Sequence, residues 1–214
     1  MVTGTKGYSN LYGNSNHMPD RHINYPYALS FNQSTLAKHT ESHHTLLSIE
    51  SNDYNGYKEK AIAFANKVDS IFNDSFVDTK GTTYKYSYET KEFVIVKSDG
   101  TIISYYIPRS RDKDQYWENV KRRIKGGKKG IMKKNEMSVE EVEKMKCPVC
   151  GEYTFNGLYD ICPVCGWEND IVQLDNPDDG GANAMSLNQR IEWFKGKRAK
   201  NPNYHWEKSG YIED

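Results

Sequence analysis

Cysteine is absent from the first 146 residues of this 214-residue chain, which excludes a disulfide framework or a cysteine metal site from that part. Long apolar runs are missing too, because none approaches the roughly 18 residues that a membrane span needs and the mean hydropathy is −0.85. The opening MVTGTKGYSN lacks the apolar core of a signal peptide. We therefore expect a soluble protein with no membrane partner, made in the cytoplasm unless it is cut from a larger exported protein.

Net charge is also absent, but its distribution along the chain is uneven. Up to Ile131 there are 19 Lys and Arg against 14 Asp and Glu, and beyond it 10 against 15. An excess of this size also arises by chance. Otherwise, opposite charges on two parts predict two units that have different partners or that contact each other.

The boundary between these parts is marked by KRRIKGGKKGIMKKNEMSVEEVEKMK, where glycines among lysines are typical of a solvated connector. Ser138, followed by Glu140 and Glu141, predicts the N-cap of a short helix. We expect an irregular lead-in over 1–30, a domain over 31–125, a linker and short helix over 126–146, and a second domain over 147–214.

Periodicity predicts an α+β fold for 31–125, with helices packed on a small antiparallel sheet. LAKHTESHHTLLSI and YKEKAIAFANKVDSIF have apolar residues at helical spacing. TTYKYSY, EFVIV and TIISYYI predict a three-stranded meander with a turn at Asp99 and Gly100. QYWENVKRRI predicts a closing helix.

All four cysteines, Cys147, Cys150, Cys162 and Cys165, form C-x2-C-x11-C-x2-C. Two such knuckles offer four thiolates in a tetrahedron, and closed coordination leaves no position for water, so the spacing predicts a small domain with a structural zinc ion. Two disulfides are the alternative, which a reducing cytoplasm disfavours. Redox catalysis is a further alternative, although it needs only one motif.

After these knuckles come GWEND, VQLDNPD, GGANAMSL and the helix NQRIEWFK. In this order the stretch from Cys147 to Phe194 resembles the cysteine-rich CPCC family, with Val149 where family members often have another cysteine. The resemblance implies a compact, once-separate protein joined to the unit in front of it. We expect Trp193 and Phe194 in its core. Trp167, Glu168, Asp170 and the DNPDDGGAN loop form either an acidic binding face or, as we favour, a turn-rich connector with Asp at its caps.

The first part carries a different kind of chemistry. His39 and His43 are four residues apart, on one side of the predicted helix, and Lys38 adjoins them. The sheet offers Thr83 and Lys85 on one strand and Ser104 on the last. RNA cleavage without metal needs a base for the 2′-hydroxyl proton, an acid for the leaving oxygen, and donors or cations for the phosphate. These residue types provide all three.

LAKHTESHH, the helix YKEKAIAFAN and the strands GTTYKYSYETKEFVIVKSDGTIISYYIP resemble, in order, the colicin D-like toxin nucleases of the barnase, EndoU and colicin group. The resemblance implies that His39 or His43 is the base, that Lys85 stabilises the phosphate, and that Ser104 and Tyr106 donate to it. Lys38 and Thr83 would bind the substrate. His44 stands where family members often have glycine, which leaves the choice of base open.

Several alternatives remain at this point. The histidines also fit a solvated helix face or a metal site, for which no acid is obviously placed, and KRRIKGGKKG fits either RNA phosphates or a linker. Our leading hypothesis is a metal-independent endoribonuclease toxin, acting on tRNA or another structured RNA and fused to a zinc module that masks or targets it. A separate immunity protein is a further expected partner. The alternative is a non-enzymatic zinc-binding interaction or immunity protein.

Overall fold

The computed structural model describes residues 28–125 and 136–206. The predicted lead-in lies almost entirely outside these residues, as do the linker glycines. The described elements, in chain order, are β1 (Ser30–Phe31), α1 (Leu36–Leu47), α2 (Tyr54–Ala65), β2 (Asn73–Val77), β3 (Thr83–Ser87), β4 (Phe93–Val96), β5 (Thr101–Tyr106), α3 (Lys113–Ile124), α4 (Val139–Glu143), α5 (Ile171–Asp175) and α6 (Leu187–Lys200). No helix within these two ranges is long and apolar enough to cross a bilayer.

The predicted meander is confirmed as β3, β4 and β5, and two further strands extend it into one sheet. Its order is β1-β5-β4-β3-β2. β1 is parallel to β5, and the other neighbours are antiparallel. A bulge between Ile95 and Val96 shifts the register, so that Ser104 lies opposite Ile95. The bulge therefore determines which face of the sheet Ser104 shares.

The prediction of a helix reaching Phe72 is wrong, since α2 ends at Ala65. Asn66 caps it and exchanges two hydrogen bonds with the backbone of Ala28, at 2.9 and 3.0 Å. The Lys85 ammonium group also donates to the carbonyls of Ala65 and Lys67. The two Lys85 hydrogen bonds satisfy carbonyl groups that a longer helix would use. Val68, one of the apolar residues at helical spacing in YKEKAIAFANKVDSIF, is consequently 86% exposed.

The two faces of the sheet are covered by different elements. On one face, α1 and α2 enclose a core that includes Tyr57, Phe64, Val94 and Tyr105. On the other face, strand residues pack with α3 and with residues from 136–206, the second half of the described chain. The members of that second core include Tyr86, Phe93, Ile95, Tyr106, Tyr116, Trp117, Val142, Tyr159, Ile171 and Val172. The sheet thus shares one continuous apolar core with the cysteine-containing part.

The cysteine-containing part is built from turns and three helices around a core of its own. Ser138 caps α4 as predicted, and Glu141 completes a capping box. A second capping box at Ser186 begins α6, the predicted closing helix. The predicted core residue Phe194 is buried beside the cysteines, whereas Trp193 is only partly buried. The two capping boxes fix the residues at which α4 and α6 begin.

Polar contacts join the second half to the first around the apolar core. Arg123 lies 2.7 Å from Asp175, and the Ser110 hydroxyl donates to Asp179 at 2.8 Å. The DNPDDGGAN loop lies directly on the chain after β5, because the amide of Arg109 donates to the carbonyl of Gly181 at 2.8 Å. A Cβ at Gly180 would lie only 2.4 Å from the Arg109 carbonyl oxygen, so this approach requires glycine.

Candidate functional site

The four cysteines converge on one point from two knuckles of the same conformation. In each knuckle a glycine amide donates to the carbonyl of the first cysteine at 2.8 Å, from Gly151 to Cys147 and from Gly166 to Cys162. Both glycines have positive φ, 72° and 74°, a conformation that other residues rarely adopt. The repeated CPVCG sequence therefore produces the same turn twice.

The sulfur positions fit a metal and not two disulfides. The Cys147 and Cys165 sulfurs are 3.4 Å apart and those of Cys150 and Cys162 are 3.6 Å apart, well beyond a disulfide bond of about 2.05 Å. A tetrahedral ion with metal–sulfur bonds of about 2.3 Å separates its thiolates by about 3.8 Å. All four sulfurs lie within 4.8 Å of one another. The predicted cysteine set can thus bind one metal ion.

A second cluster is centred on α1 and joins the two halves of the chain. His39 and His43 lie one turn apart with their rings stacked, at a centroid distance of 5.6 Å. Tyr106 of β5 stacks on His43 at 5.1 Å, and Phe31 of β1 contacts the edge of His39 at 5.6 Å. Both histidines are about 1% exposed. The interpretation of a solvated helix face is therefore wrong, because the sheet buries this side of the helix.

The acid that the sequence did not locate is Glu168, from the loop that follows the second knuckle. Its Oε2 atom lies 2.9 Å from Nε2 of His43 and 4.0 Å from Nδ1 of His39. Its Oε1 atom accepts a hydrogen bond of 2.8 Å from the Ser104 hydroxyl, which in turn lies 3.4 Å from Nδ1 of His39. One carboxyl group thus contacts three predicted site residues.

Burial controls the protonation of this cluster. Loss of solvation raises the pKa of Glu168 to about 7, against the opposing effects of His39, the Ser104 hydrogen bond and Arg109. Loss of solvation also lowers the pKa of His39 to about 4 and holds the pKa of His43 well below its usual value. At neutral pH both imidazoles are therefore neutral in the covered site.

His39, His43 and Glu168 are also close enough together to hold a metal ion, but the surroundings of His43 do not favour metal binding through its Nε2 atom. His43 Nδ1 is buried without a hydrogen-bond partner. If Nε2–H donates to Glu168, that Nδ1 atom is only an unpaired acceptor. If a metal took Nε2, Nδ1 would become a buried N–H donor without an acceptor, at a cost of about 1–3 kcal/mol.

The structure does not bring every predicted residue to this cluster. Lys85 and Thr83 lie opposite Val94 and Val96, and the Lys85 ammonium group is at the end of α2. Ser104 lies opposite Ile95 on the other face of the sheet. Lys85 is buried in an ion pair with Asp69 at 3.3 Å. Lys85 therefore stabilises the end of α2 and does not contact the histidines.

The remaining predicted residues lie nearer the cluster. Tyr106 contacts His43 through its ring, but its hydroxyl pairs with that of Tyr116 at 2.9 Å. Lys38 adjoins His39 on α1, is partly buried, and helps to lower the pKa of that histidine. Asp170 caps α5, as the connector interpretation of this loop predicts, and Glu168 is buried facing the histidines. A contact between residues 125 positions apart has no local signal in the sequence.

Two clefts reach residues of the cluster. One, of about 490 Å³, lies between α1 and the second half, and its lining includes Glu168, Arg109, His44 and Arg190. The other, of about 410 Å³, reaches His39, and its lining includes Lys80, Lys97 and Lys144. Volumes of this size are typical of small-molecule sites. The cluster is covered by protein but is adjacent to space that a ligand can enter.

Comparison with known proteins covers only the second half of the chain. No curated protein and no solved structure matches the chain, and the predicted likeness to colicin D-like nucleases stays a prediction. Residues 145–204 match the family described as Cysteine-rich CPCC, which confirms the resemblance predicted for Cys147 to Phe194.

Proposed function

We propose that residues 31–125 form a metal-independent endoribonuclease of the toxin type, acting on tRNA or another structured RNA. The observation that carries the proposal is the convergence of His39, His43 and Ser104 on the single carboxyl group of Glu168. Two imidazoles and a hydroxyl that can surround one phosphate group are what phosphodiester cleavage without metal requires. Residues 147–206, the zinc module, hold a structural zinc ion on the four thiolates and mask the site.

The proposed reaction starts when the zinc module leaves the site. One histidine takes the proton of the RNA 2′-hydroxyl, and the 2′-oxygen forms a bond to phosphorus. The bond from phosphorus to the 5′-oxygen breaks, and the other histidine, now protonated, donates its proton to that oxygen. Ser104 donates to the phosphate. The products are a 2′,3′-cyclic phosphate and a 5′-hydroxyl end.

The test uses the full chain with a protease site inserted between residues 126 and 135. Cutting this site and chelating the metal with EDTA should release the zinc module and start tRNA cleavage, with cyclic phosphate ends, in the presence of the chelator. His39→Ala and His43→Ala should each reduce cleavage by about 10²-fold or more. His44→Ala, on the same helix but outside the cluster, is the matched control.

Native mass spectrometry should show one zinc ion for each intact chain and none after chelation. Circular dichroism must show that the released unit keeps its secondary structure. A folded released unit that leaves tRNA intact, or histidine variants as active as the control, would refute the ribonuclease.

A second candidate is a non-enzymatic zinc-binding interaction or immunity protein. The observation that favours it is the burial of all four cluster residues under a core that both halves share. Tyr159 of the zinc module packs against Phe93 and Tyr106 of the sheet, with centroid distances of 6.0 and 6.2 Å. On this hypothesis no form of the chain cleaves RNA, so the same assay separates the two candidates.

A further inference from the structure

The carboxyl group of Glu168 has the surroundings of a bound anion. Ser104 donates to one oxygen at 2.8 Å, and His43 contacts the other at 2.9 Å. Arg109 is near enough to favour the charged form of the Glu168 carboxyl group. Burial of an acid is costly unless donors compensate for the lost water. Here the donors come from α1 and β5, and the chain after β5 adds the positive charge of Arg109. The anion-binding position formed by these groups, the seat, therefore belongs to the first half of the chain. Only its occupant, Glu168, comes from the second half.

The occupant is held in position by the metal knuckle. Glu168 follows Cys165 by three residues, and its neighbour Trp167 accepts the backbone hydrogen bond of Cys162 at 2.8 Å. Asn183 fixes the Glu168 backbone from the other side, accepting from its amide at 2.8 Å and donating to its carbonyl at 2.9 Å. The side chain is thus presented to the histidines by a backbone with little freedom.

We propose that Glu168 occupies the seat of the scissile phosphate, so that the zinc module inhibits the first half by placing a carboxylate where a phosphate group of RNA binds. The inference rests on the proposed ribonuclease function and adds the means of its regulation. A carboxylate offers two of the oxygens that a phosphate offers, and both accept hydrogen bonds from the same donors. Removing the carboxylate therefore uncovers an anion-binding site beside the 490 Å³ cleft.

The test removes the occupant and supplies the anion. The full chain with Glu168→Ala is titrated with inorganic phosphate, in zinc-containing buffer without added sulfate, by calorimetry and thermal denaturation. We expect one phosphate per chain, bound at least tenfold more tightly than by the natural chain, and a rise in Tm that chloride does not produce. Adding Ser104→Ala to this variant should weaken the binding by about tenfold, because one hydrogen bond to the anion is lost.

Glu143→Ala is the matched control. Glu143 is another acid of the second half that pairs with the first half, through Lys80, but it does not contact the histidines. This variant should bind phosphate no better than the natural chain. If Glu168→Ala does not fold in buffer, refolding is repeated in phosphate, in acetate and in chloride. Recovery of the folded protein in phosphate and acetate but not in chloride supports the seat. Failure to refold in all three buffers overturns it.

The outcome is separable from that of the ribonuclease assay. Folded Glu168→Ala that binds no phosphate refutes the inference even if the released first half cleaves tRNA. Phosphate binding that depends on Ser104, without RNA cleavage in any form, supports the anion seat and refutes the ribonuclease. Phosphate binding that is unchanged by Ser104→Ala places the anion elsewhere and refutes the inference.

Discussion

The substitution Glu168→Gln should change how the stability of the protein depends on pH. The pKa of this buried carboxyl group is raised from 4.5 to about 7, so the folded protein keeps a proton that the unfolded chain releases between these values. The stability contributed by Glu168 is therefore complete below pH 4.5 and is lost as the pH rises to 7. A glutamine side chain has nearly the same shape and does not titrate, so that loss disappears.

The expected magnitude follows from the size of the shift. Each pKa unit corresponds to about 1.4 kcal/mol, so the whole effect is about 3 kcal/mol, of which about 2 kcal/mol falls between pH 5 and pH 7. The histidines act with the opposite sign, because burial lowers the pKa of His39 to about 4 and that of His43 well below its usual value. Their contribution is gained as the pH rises towards 6.5. The carboxyl group offsets this gain in the natural chain but not in the variant.

Other charged groups act on Glu168 from both halves of the chain. Arg109 lowers its pKa and Asp160 raises it, and both remain in the variant. The nearby Asp170, whose pKa burial raises to about 6, also titrates in both proteins. Its contribution therefore largely cancels when the two proteins are compared at the same pH.

Urea unfolding at pH 5, 6 and 7, with zinc present and the metal content measured at each pH, gives the free energy of unfolding of both proteins. The variant's free energy minus that of the natural chain should rise by about 2 kcal/mol from pH 5 to pH 7. Glu152→Gln, at an exposed position of the zinc module, should leave the slope unchanged. Parallel profiles for the natural chain and the Glu168 variant would refute the reasoning that burial holds a proton on this group.

Two further predictions concern packing on the two faces of the sheet. Tyr159→Ala should lower the free energy of unfolding, measured with urea, by about 3–5 kcal/mol. Its ring fills the core between the cysteine-containing part and Phe93 and Tyr106 of the sheet. A loss below about 1 kcal/mol would show that the two halves are not joined there. Lys85→Met should cost about 3 kcal/mol by leaving the partly buried Asp69 carboxylate without its ion-pair partner. In the Glu168→Ala background this change should not alter phosphate affinity, and a tenfold loss of affinity would place Lys85 at the anion seat after all.

The sequence predicted the elements whose signals are local. Alternation and the turn at Gly100 indicated the three-stranded meander, Ser138 indicated the start of α4, and the CPVC repeat indicated the cysteine cluster. β1 and β2 were missed because β1 has only two residues and β2 follows a stretch with helical spacing. The spacing continued through Val68, but the cap at Asn66 and the Lys85 ammonium group end the helix earlier. Tertiary contacts decided that boundary, and no local pattern records them.

The candidate site was predictable only in part, for a related reason. The four-residue spacing placed His39 and His43 together, and the strand placed Ser104 near them. Lys85 and Ser104 were both predicted to act on the phosphate, although the sequence of a strand does not say which face of the sheet a side chain shares. The bulge at Ile95 and Val96 shifts the pairing of β5, and Lys85 lies with the opposite core. A one-residue change of register reverses the face of a side chain, so the grouping could not be settled without the sheet.

Glu168 also connects the cysteine cluster to the histidine cluster. A closed metal site contributes to folding because its ligands have no fixed arrangement in the unfolded chain, and the second knuckle ends three residues before Glu168. Loss of the metal would free the backbone that holds the carboxyl group between Ser104 and His43. On the proposed function, metal occupancy and access to the histidines form one equilibrium, and an agent that removes the metal also exposes the histidines. The cysteine cluster would in this way control the reaction proposed for the half of the chain without cysteine.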